Sequence, residues 1–151
     1  MRGRCTCGAV QYELTGEPIM AFLCQCRQCQ KITGTGHSSE FAMLETQVCL
    51  TGKLAVYELT SDNGNSVYSH FCPVCGNPVF KKTDGFPGKM FIHASTLEQP
   101  QHYQPTKVYW HASSQPWDYV DPKLEVIQEQ STRKLQSAID EVIGDSDLAD
   151  R

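Results

Sequence analysis

Short segments rich in apolar residues, separated by turn-forming residues, predict β-strands along most of the chain. Val10, Tyr12 and Leu14 alternate with polar residues, and the turn-forming run 15–18 then ends this strand. An Asn-Gly pair at 63–64 favours a hairpin turn. The further predicted strands span residues 48–50, 54–59, 67–71, 79–80, 89–94 and 108–111, the fourth and fifth of these forming a hairpin around residues 84–88. We therefore expect a mainly β fold up to about residue 125.

The C-terminal part of the chain has a helical period instead. Leu135, Ile139 and Ile143 recur every four residues, so they lie on one face of a predicted helix. Ser131 is the expected N-cap, and we expect the helix to end at Gly144 with a frayed tail after it. This helix can close the core or contact a second copy of the chain in a homodimer.

Length and composition indicate one globular domain. The 151 residues are 40% hydrophobic, which is enough to bury a core without disulfides. We divide the chain into a main domain, residues 1–125, and a C-terminal helical extension with its tail, residues 126–151. The chain shows no internal repeat and no second domain.

Charge and hydropathy exclude two classes of partner. The net charge of −4 argues against binding to nucleic acid or to anionic membranes, because both require a surplus of lysine and arginine. No apolar segment follows the arginines of "MRGRCTCGAV", and no run approaches the roughly 20 apolar residues of a membrane span. We therefore expect a cytoplasmic protein that binds neither nucleic acid nor membrane.

Seven of the eight cysteines fall into short motifs, which indicate a metal-binding protein rather than a plain β domain. They form C-x-C at 5 and 7, C-x-C-x-x-C at 24, 26 and 29, and C-x-x-C at 72 and 75, with Cys49 alone. Closely spaced thiols without a secretory signal are more often metal ligands or redox groups than disulfides. A redox dithiol at 72 and 75 would require a βαβ pattern around it, which this sequence lacks.

Two of the motifs together complete a tetrahedral zinc site. Cys72 and Cys75 have the spacing of a zinc knuckle, and Gly76 can adopt the positive φ that tightens such a turn. Cys5 and Cys7 face the same way on an extended chain and supply two more thiolates. We predict a structural zinc at these four cysteines, whose binding energy contributes to folding.

The remaining motif, Cys24, Cys26 and Cys29, offers three thiolates. Three protein ligands with a vacant fourth position are typical of catalytic zinc, and an all-thiolate set suits a thiol ligand that is held deprotonated. Alternatively a fourth protein ligand closes the site; the candidates are His37, His70, His93 and Cys49. We expect Cys49 to be a buried strand thiol rather than a ligand.

Four segments resemble the signature segments of one family, in the same order. They are "GRCTCGAVQYEL", "CQCRQCQKITGTG", "HFCPVCGNPVF" and "VYWHASSQPWDYV", spread over residues 3–122. These segments are similar to those of the glutathione-dependent formaldehyde-activating enzyme family, which also includes centromere protein V. The ordered set of motifs is much rarer than any single one of them. The helix beyond residue 125 lies outside the resemblance.

The resemblance implies a fold, two metal sites and a reaction. The implied fold consists of curved antiparallel sheets of the β-tent type. The implied structural zinc is held by Cys5, Cys7, Cys72 and Cys75, and the implied catalytic zinc by Cys24, Cys26 and Cys29. The implied reaction adds the sulfur of glutathione to formaldehyde and gives S-hydroxymethylglutathione, which is carbon–sulfur lyase chemistry written in reverse.

Around Cys24, Cys26 and Cys29, the sequence indicates only candidates for proton transfer and for the pocket wall. No catalytic residue is identified, and His37 and His111 are the candidates for proton transfer. The loop 33–37 and the segment 110–117 are candidates for the pocket wall. Two alternatives remain for the function: a non-catalytic, zinc-stabilised interaction module of the centromere protein V type, and a thiol-redox or metal sensor.

Overall fold

Two β-sheets and two helices form the structure, a computed structural model that describes residues 1–129 and 132–149. The strands in these ranges are β1 (Arg2–Arg4), β2 (Gln11–Leu14), β3 (Met20–Cys24), β4 (Ser38–Leu44), β5 (Val48–Thr51), β6 (Ala55–Thr60), β7 (Ser66–Phe71), β8 (Pro78–Thr83), β9 (Lys89–His93), β10 (Lys107–Tyr109) and β11 (Glu125–Val126). The helices are α1 (Arg27–Thr33) and α2 (Thr132–Ala149). The predicted mainly β fold with a C-terminal helix is confirmed.

The sheets are antiparallel except at one edge. The smaller sheet has the order β1-β2-β5, and the larger has the order β11-β10-β3-β4-β9-β8-β7-β6. Strand β10 runs parallel to both β3 and β11, so the larger sheet is mixed at that edge. The predicted hairpin of β8 and β9 is present, and so is the β6–β7 hairpin at the Asn-Gly turn.

Four elements before residue 45 were not predicted from the sequence: the three-residue strand β1, the strands β3 and β4, and helix α1. Strands β3 and β4 contain apolar runs with no clear alternation, because residues on both of their faces are buried. Helix α1 is only seven residues long, too short to show an apolar period. It begins where the Cys26 sulfur accepts the Cys29 amide as an N-cap, and it ends at Gly34, whose φ of 71° suits glycine.

Several predicted boundaries also differ. The strands β5 and β6 follow each other in the chain but belong to different sheets. The strand predicted at 108–111 ends at Tyr109, because Trp110 adopts a φ of 59° and a 3₁₀ helix begins after it. Helix α2 continues past Gly144 to Ala149, so the helix end predicted at Gly144 is wrong. The predicted N-cap, Ser131, lies outside the described residues.

Alternation along β4 separates two hydrophobic cores. Phe41 and Met43 pack into the first core, between the two sheets, and Ala42 packs into the second, on the opposite face. The second core includes Leu135 and Ile139 of α2, so the helix covers this face of the larger sheet. Within the described ranges, neither helix has the length and apolar character needed to span a bilayer.

Candidate metal centres and the adjoining cleft

The first thiol group joins the N-terminal strand pair to a turn more than sixty residues later. The sulfurs of Cys5, Cys7, Cys72 and Cys75 all lie within 4.8 Å of one another. The Cys5–Cys7 and Cys7–Cys72 sulfur distances are 3.5 and 3.7 Å. Four sulfurs about 2.3 Å from a tetrahedral zinc are separated by about 3.8 Å. This donor set is therefore compatible with a zinc ion.

Backbone geometry sets the arrangement of these thiols. The amide of Gly76 donates to the Cys72 carbonyl over 2.9 Å, and its φ of 72° closes the knuckle turn. Hydrogen bonds from the backbone amides of Asn77 and Cys7 lower the pKa of the Cys75 thiol to about 6. The turn thus favours thiolate, the form that binds a metal.

The second thiol group lies where β3 meets α1. Cys24 ends the strand, Cys26 caps the helix and Cys29 is in its first turn, so their sulfurs come within 4.8 Å of one another. Hydrogen bonds from the thiols of Cys24 and Cys29, together with the charge of Lys81, lower the pKa of Cys26 to about 3. We call these three residues the thiol trio, and its donor set could also hold a metal ion.

A buried ion pair that the sequence analysis missed contacts the trio. The Lys81 ammonium lies 3.1 Å from the Cys29 sulfur and 2.6 Å from a carboxylate oxygen of Glu40. The side chains are 12% and 2% exposed. Burial alone would lower the pKa of Lys81, but the negative charges of Cys29 and Glu40 outweigh it and raise that pKa. One signal was present: Lys81 and Lys82 are adjacent in a strand, so their side chains point to opposite faces of the sheet.

The candidates for a fourth ligand lie elsewhere. Of the Cys, His, Asp and Glu side chains in the described ranges, none joins the trio within the same 4.8 Å limit. His70 stacks on Phe80 at 4.2 Å between ring centroids. His93 lies opposite Glu40 on β9 and is 2% exposed, and its Nε2 atom has no hydrogen-bond partner. Cys49 lies in β5 but is exposed, so the predicted burial of this thiol is wrong.

His37 and His111, the proton-transfer candidates from the sequence, belong to a hydrogen-bond network that includes Gln25 and Asp118. Gln25, completely buried, donates to Asp118 over 2.9 Å and accepts from Nδ1 of His111 over 2.8 Å. His37 bonds the same Asp118 over 2.9 Å. Because Gln25 lies between two thiols of the trio, this network orients the loop that carries them. Position 36, next to this network, must be glycine, because a Cβ atom there would lie 2.2 Å from Cγ of Asp118.

The trio borders a cleft of about 140 Å³. Besides the three thiols, its lining consists of Phe22, Gln28, Ile32, Glu40, Leu59, Ser61, Asp62, Asn63, Asn65, Val67, Lys81, Thr83, Phe86, Phe91, Trp110 and Leu135. Of the two segments predicted to form the wall, 33–37 and 110–117, only Trp110 contributes. The β6–β7 hairpin and helix α2 line the cleft instead, through tertiary contacts that local sequence patterns do not reveal.

Comparisons with known proteins identify relatives for most of the chain. A family model described as glutathione-dependent formaldehyde-activating enzyme matches residues 1–113. A crystal structure of a Rhodobacter sphaeroides protein is similar in fold, with a TM-score of 0.52 and 21% sequence identity, over 65% of this chain and 88% of that one. No curated protein matches the chain.

Proposed function

The chain belongs to the glutathione-dependent formaldehyde-activating enzyme family, and from this premise we propose that it is a zinc-dependent enzyme of the carbon–sulfur lyase type. Its substrate is a small thiol adduct, such as the adduct of glutathione and formaldehyde. In the direction of synthesis, a bond forms between the thiol sulfur and the carbonyl carbon while the C=O π bond opens. The thiol proton ends on the new hydroxyl group, so the reaction needs no oxidant or reductant.

The thiol trio at the edge of the cleft is the observation that carries this proposal. Its sulfurs converge without a fourth protein ligand among the described residues, and the adjoining space is large enough for a substrate. Zinc held by Cys24, Cys26 and Cys29 would supply an open position that binds a substrate thiol and keeps it deprotonated. Cys5, Cys7, Cys72 and Cys75 would hold the structural ion.

A charged pair beside the trio favours the binding of an anionic sulfur. The Lys81 ammonium donates a charge-assisted hydrogen bond to the Cys29 sulfur and offsets part of the negative charge that three thiolates bring together. Glu40 holds Lys81 in that position. The apolar rings beside the trio exclude water, which strengthens these electrostatic interactions.

We also propose that the chain consists of a catalytic domain and a C-terminal extension. All seven proposed zinc ligands lie within residues 1–125, which form the catalytic domain. The extension 126–151 contributes Leu135 to the cleft wall, so the helix serves the site by packing rather than by chemistry. We place the enzyme in the cytoplasm, where thiols remain reduced.

Counting bound zinc before and after adding glutathione tests the proposal. The native mass of protein purified without oxygen should show two zinc ions, one of which accepts a glutathione adduct. Cys26→Ser should lose that adduct and one zinc, whereas Cys49→Ser, an exposed thiol outside both groups, should keep both. NMR exchange between ¹³C-formaldehyde and its glutathione adduct should be accelerated by the protein. Two zinc ions that ignore glutathione, with no acceleration, would reject the enzyme and favour an interaction module.

A further inference from the structure

The cleft beside the trio has an apolar floor. Leu59, Val67 and Thr83 lie opposite one another on β6, β7 and β8, so the register of the sheet places a row of side chains on this face. Three aromatic rings continue the floor. Phe91 meets Phe22 and Phe86 edge to face, at centroid distances of 6.1 and 5.4 Å.

The thiols and this floor belong to one packed unit. Cys24 and Cys29 lie in the same hydrophobic core as Phe22, Phe86 and Phe91. Lys81 and Glu40 line the cleft at the trio itself, and a group on the reacting carbon that extends away from this ion pair would contact the aromatic and aliphatic side chains. Such a group gains free energy by leaving water, at about 0.8 kcal/mol for each buried CH₂.

The rim of the cleft is polar, in contrast. Ser61, Asp62, Asn63 and Asn65 line it from the β6–β7 hairpin, and Gln28 lines it from α1. Gln28 also donates to the Thr60 carbonyl over 2.7 Å, which ties the helix to the hairpin. Amide and hydroxyl groups of this kind suit a peptide-like thiol, whose backbone offers matching donors and acceptors.

Volume and lining together define what the floor accepts. An apolar cavity of about 150 Å³ in another protein binds benzene, and this cleft, with its polar rim included, measures about 140 Å³, so its floor has room for a group of one ring at most. Formaldehyde has only two heavy atoms and no apolar substituent, so it would leave the floor unused. We propose that the carbonyl partner of the thiol carries an apolar, ring-sized group that occupies this floor, so that the preferred substrate is an adduct of a peptide-like thiol with an aromatic or aliphatic aldehyde.

This inference rests on the proposed function and is tested by comparing two aldehydes. NMR exchange between aldehyde and glutathione adduct is measured for formaldehyde and for phenylacetaldehyde, each relative to its uncatalysed rate. We expect at least a tenfold greater acceleration for phenylacetaldehyde. Val67→Phe fills the floor and should reduce this preference at least tenfold. Val56→Phe makes the same change at a position 53% exposed and outside the cleft, and it should leave the preference unchanged.

A binding measurement separates the two proposals. The ¹⁹F line of 4-fluorobenzyl alcohol, which cannot react, should broaden with the wild-type protein and with Val56→Phe but not with Val67→Phe. Acceleration of formaldehyde exchange without this broadening, or without a preference for phenylacetaldehyde, would overturn the inference and leave the proposed function standing. Broadening without acceleration for either aldehyde would overturn the proposed function and retain the apolar floor as a binding site.

Discussion

Replacing Lys81 with methionine tests how much the buried ion pair contributes to this protein. Methionine keeps most of the apolar stem but removes the ammonium that lies 2.6 Å from Glu40 and 3.1 Å from the Cys29 sulfur. The Glu40 carboxylate, whose side chain is 2% exposed, would then be left without a cation. Loss of one partner of a buried pair costs about 3–5 kcal/mol. For a chain of this size, that cost lowers the melting temperature by roughly 6–20 °C.

The neighbouring lysine offers a matched control. Lys82 points to the opposite face of β8 and pairs with Glu45, and these side chains are 33% and 47% exposed. Surface pairs contribute about 0–1 kcal/mol, so Lys82→Met should have little effect on unfolding. The double variant Lys81→Met with Glu40→Leu removes both buried charges, and it should recover most of the stability lost by Lys81→Met alone.

Urea unfolding followed by far-ultraviolet circular dichroism measures these free energies. Each variant is measured with saturating zinc and again with a chelator, so that an effect on metal binding is separated from an effect on the fold. Equal costs for Lys81→Met and Lys82→Met would refute the reasoning. So would strictly additive effects of Lys81→Met and Glu40→Leu, because coupled charges must give a non-zero interaction energy.

Three further predictions follow from other parts of the structure. Cys75→Ser removes one thiol of the group proposed to hold structural zinc, and it should lower the free energy of unfolding by about 4 kcal/mol or more. Cys49→Ser changes an exposed thiol outside both cysteine groups, and it should leave the urea midpoint nearly unchanged. Gly36→Ala should cost about 1–3 kcal/mol, because its Cβ displaces the Asp118 carboxylate from its hydrogen bonds; an unchanged melting temperature would contradict that contact. Burial lowers the pKa of His93 below the value of about 6.5 that it has when unfolded, so the unfolded state binds more protons below that pH. Acidification from pH 7 to pH 5 should therefore destabilise the wild type more than His93→Gln, and parallel pH profiles of unfolding would count against this.

The grouping of the cysteines was predictable because their spacing is local. Two intervening residues bring Cys72 and Cys75 together in one turn, and one intervening residue makes Cys5 and Cys7 face the same way. Strands with strict alternation, such as β2, and a helix with an apolar period, such as α2, were predictable for the same reason. Each pattern repeats over a few residues of one segment and needs no partner to be recognised.

The surroundings of the trio depend on the register between distant strands. Glu40 is on β4 and Lys81 is on β8, with β9 between them, and only the pairing of these strands brings both side chains to Cys29. Helix α1 was also not predictable from the sequence, because a seven-residue helix is stabilised by its Cys26 cap and by packing rather than by its own helix propensity.

The sequence by itself therefore determined which cysteines group together, that the chain is mainly β, and which family it belongs to. The tertiary structure alone decided that Lys81 and Glu40 are buried beside the trio, that His37 and His111 bond to Asp118 and Gln25 instead of lining the cleft, and that Phe91 and Val67 line it. The physical reason is that ligand spacing and side-chain alternation act within one segment. The contents of a cleft are set by strands and helices that meet only when the whole sheet has formed.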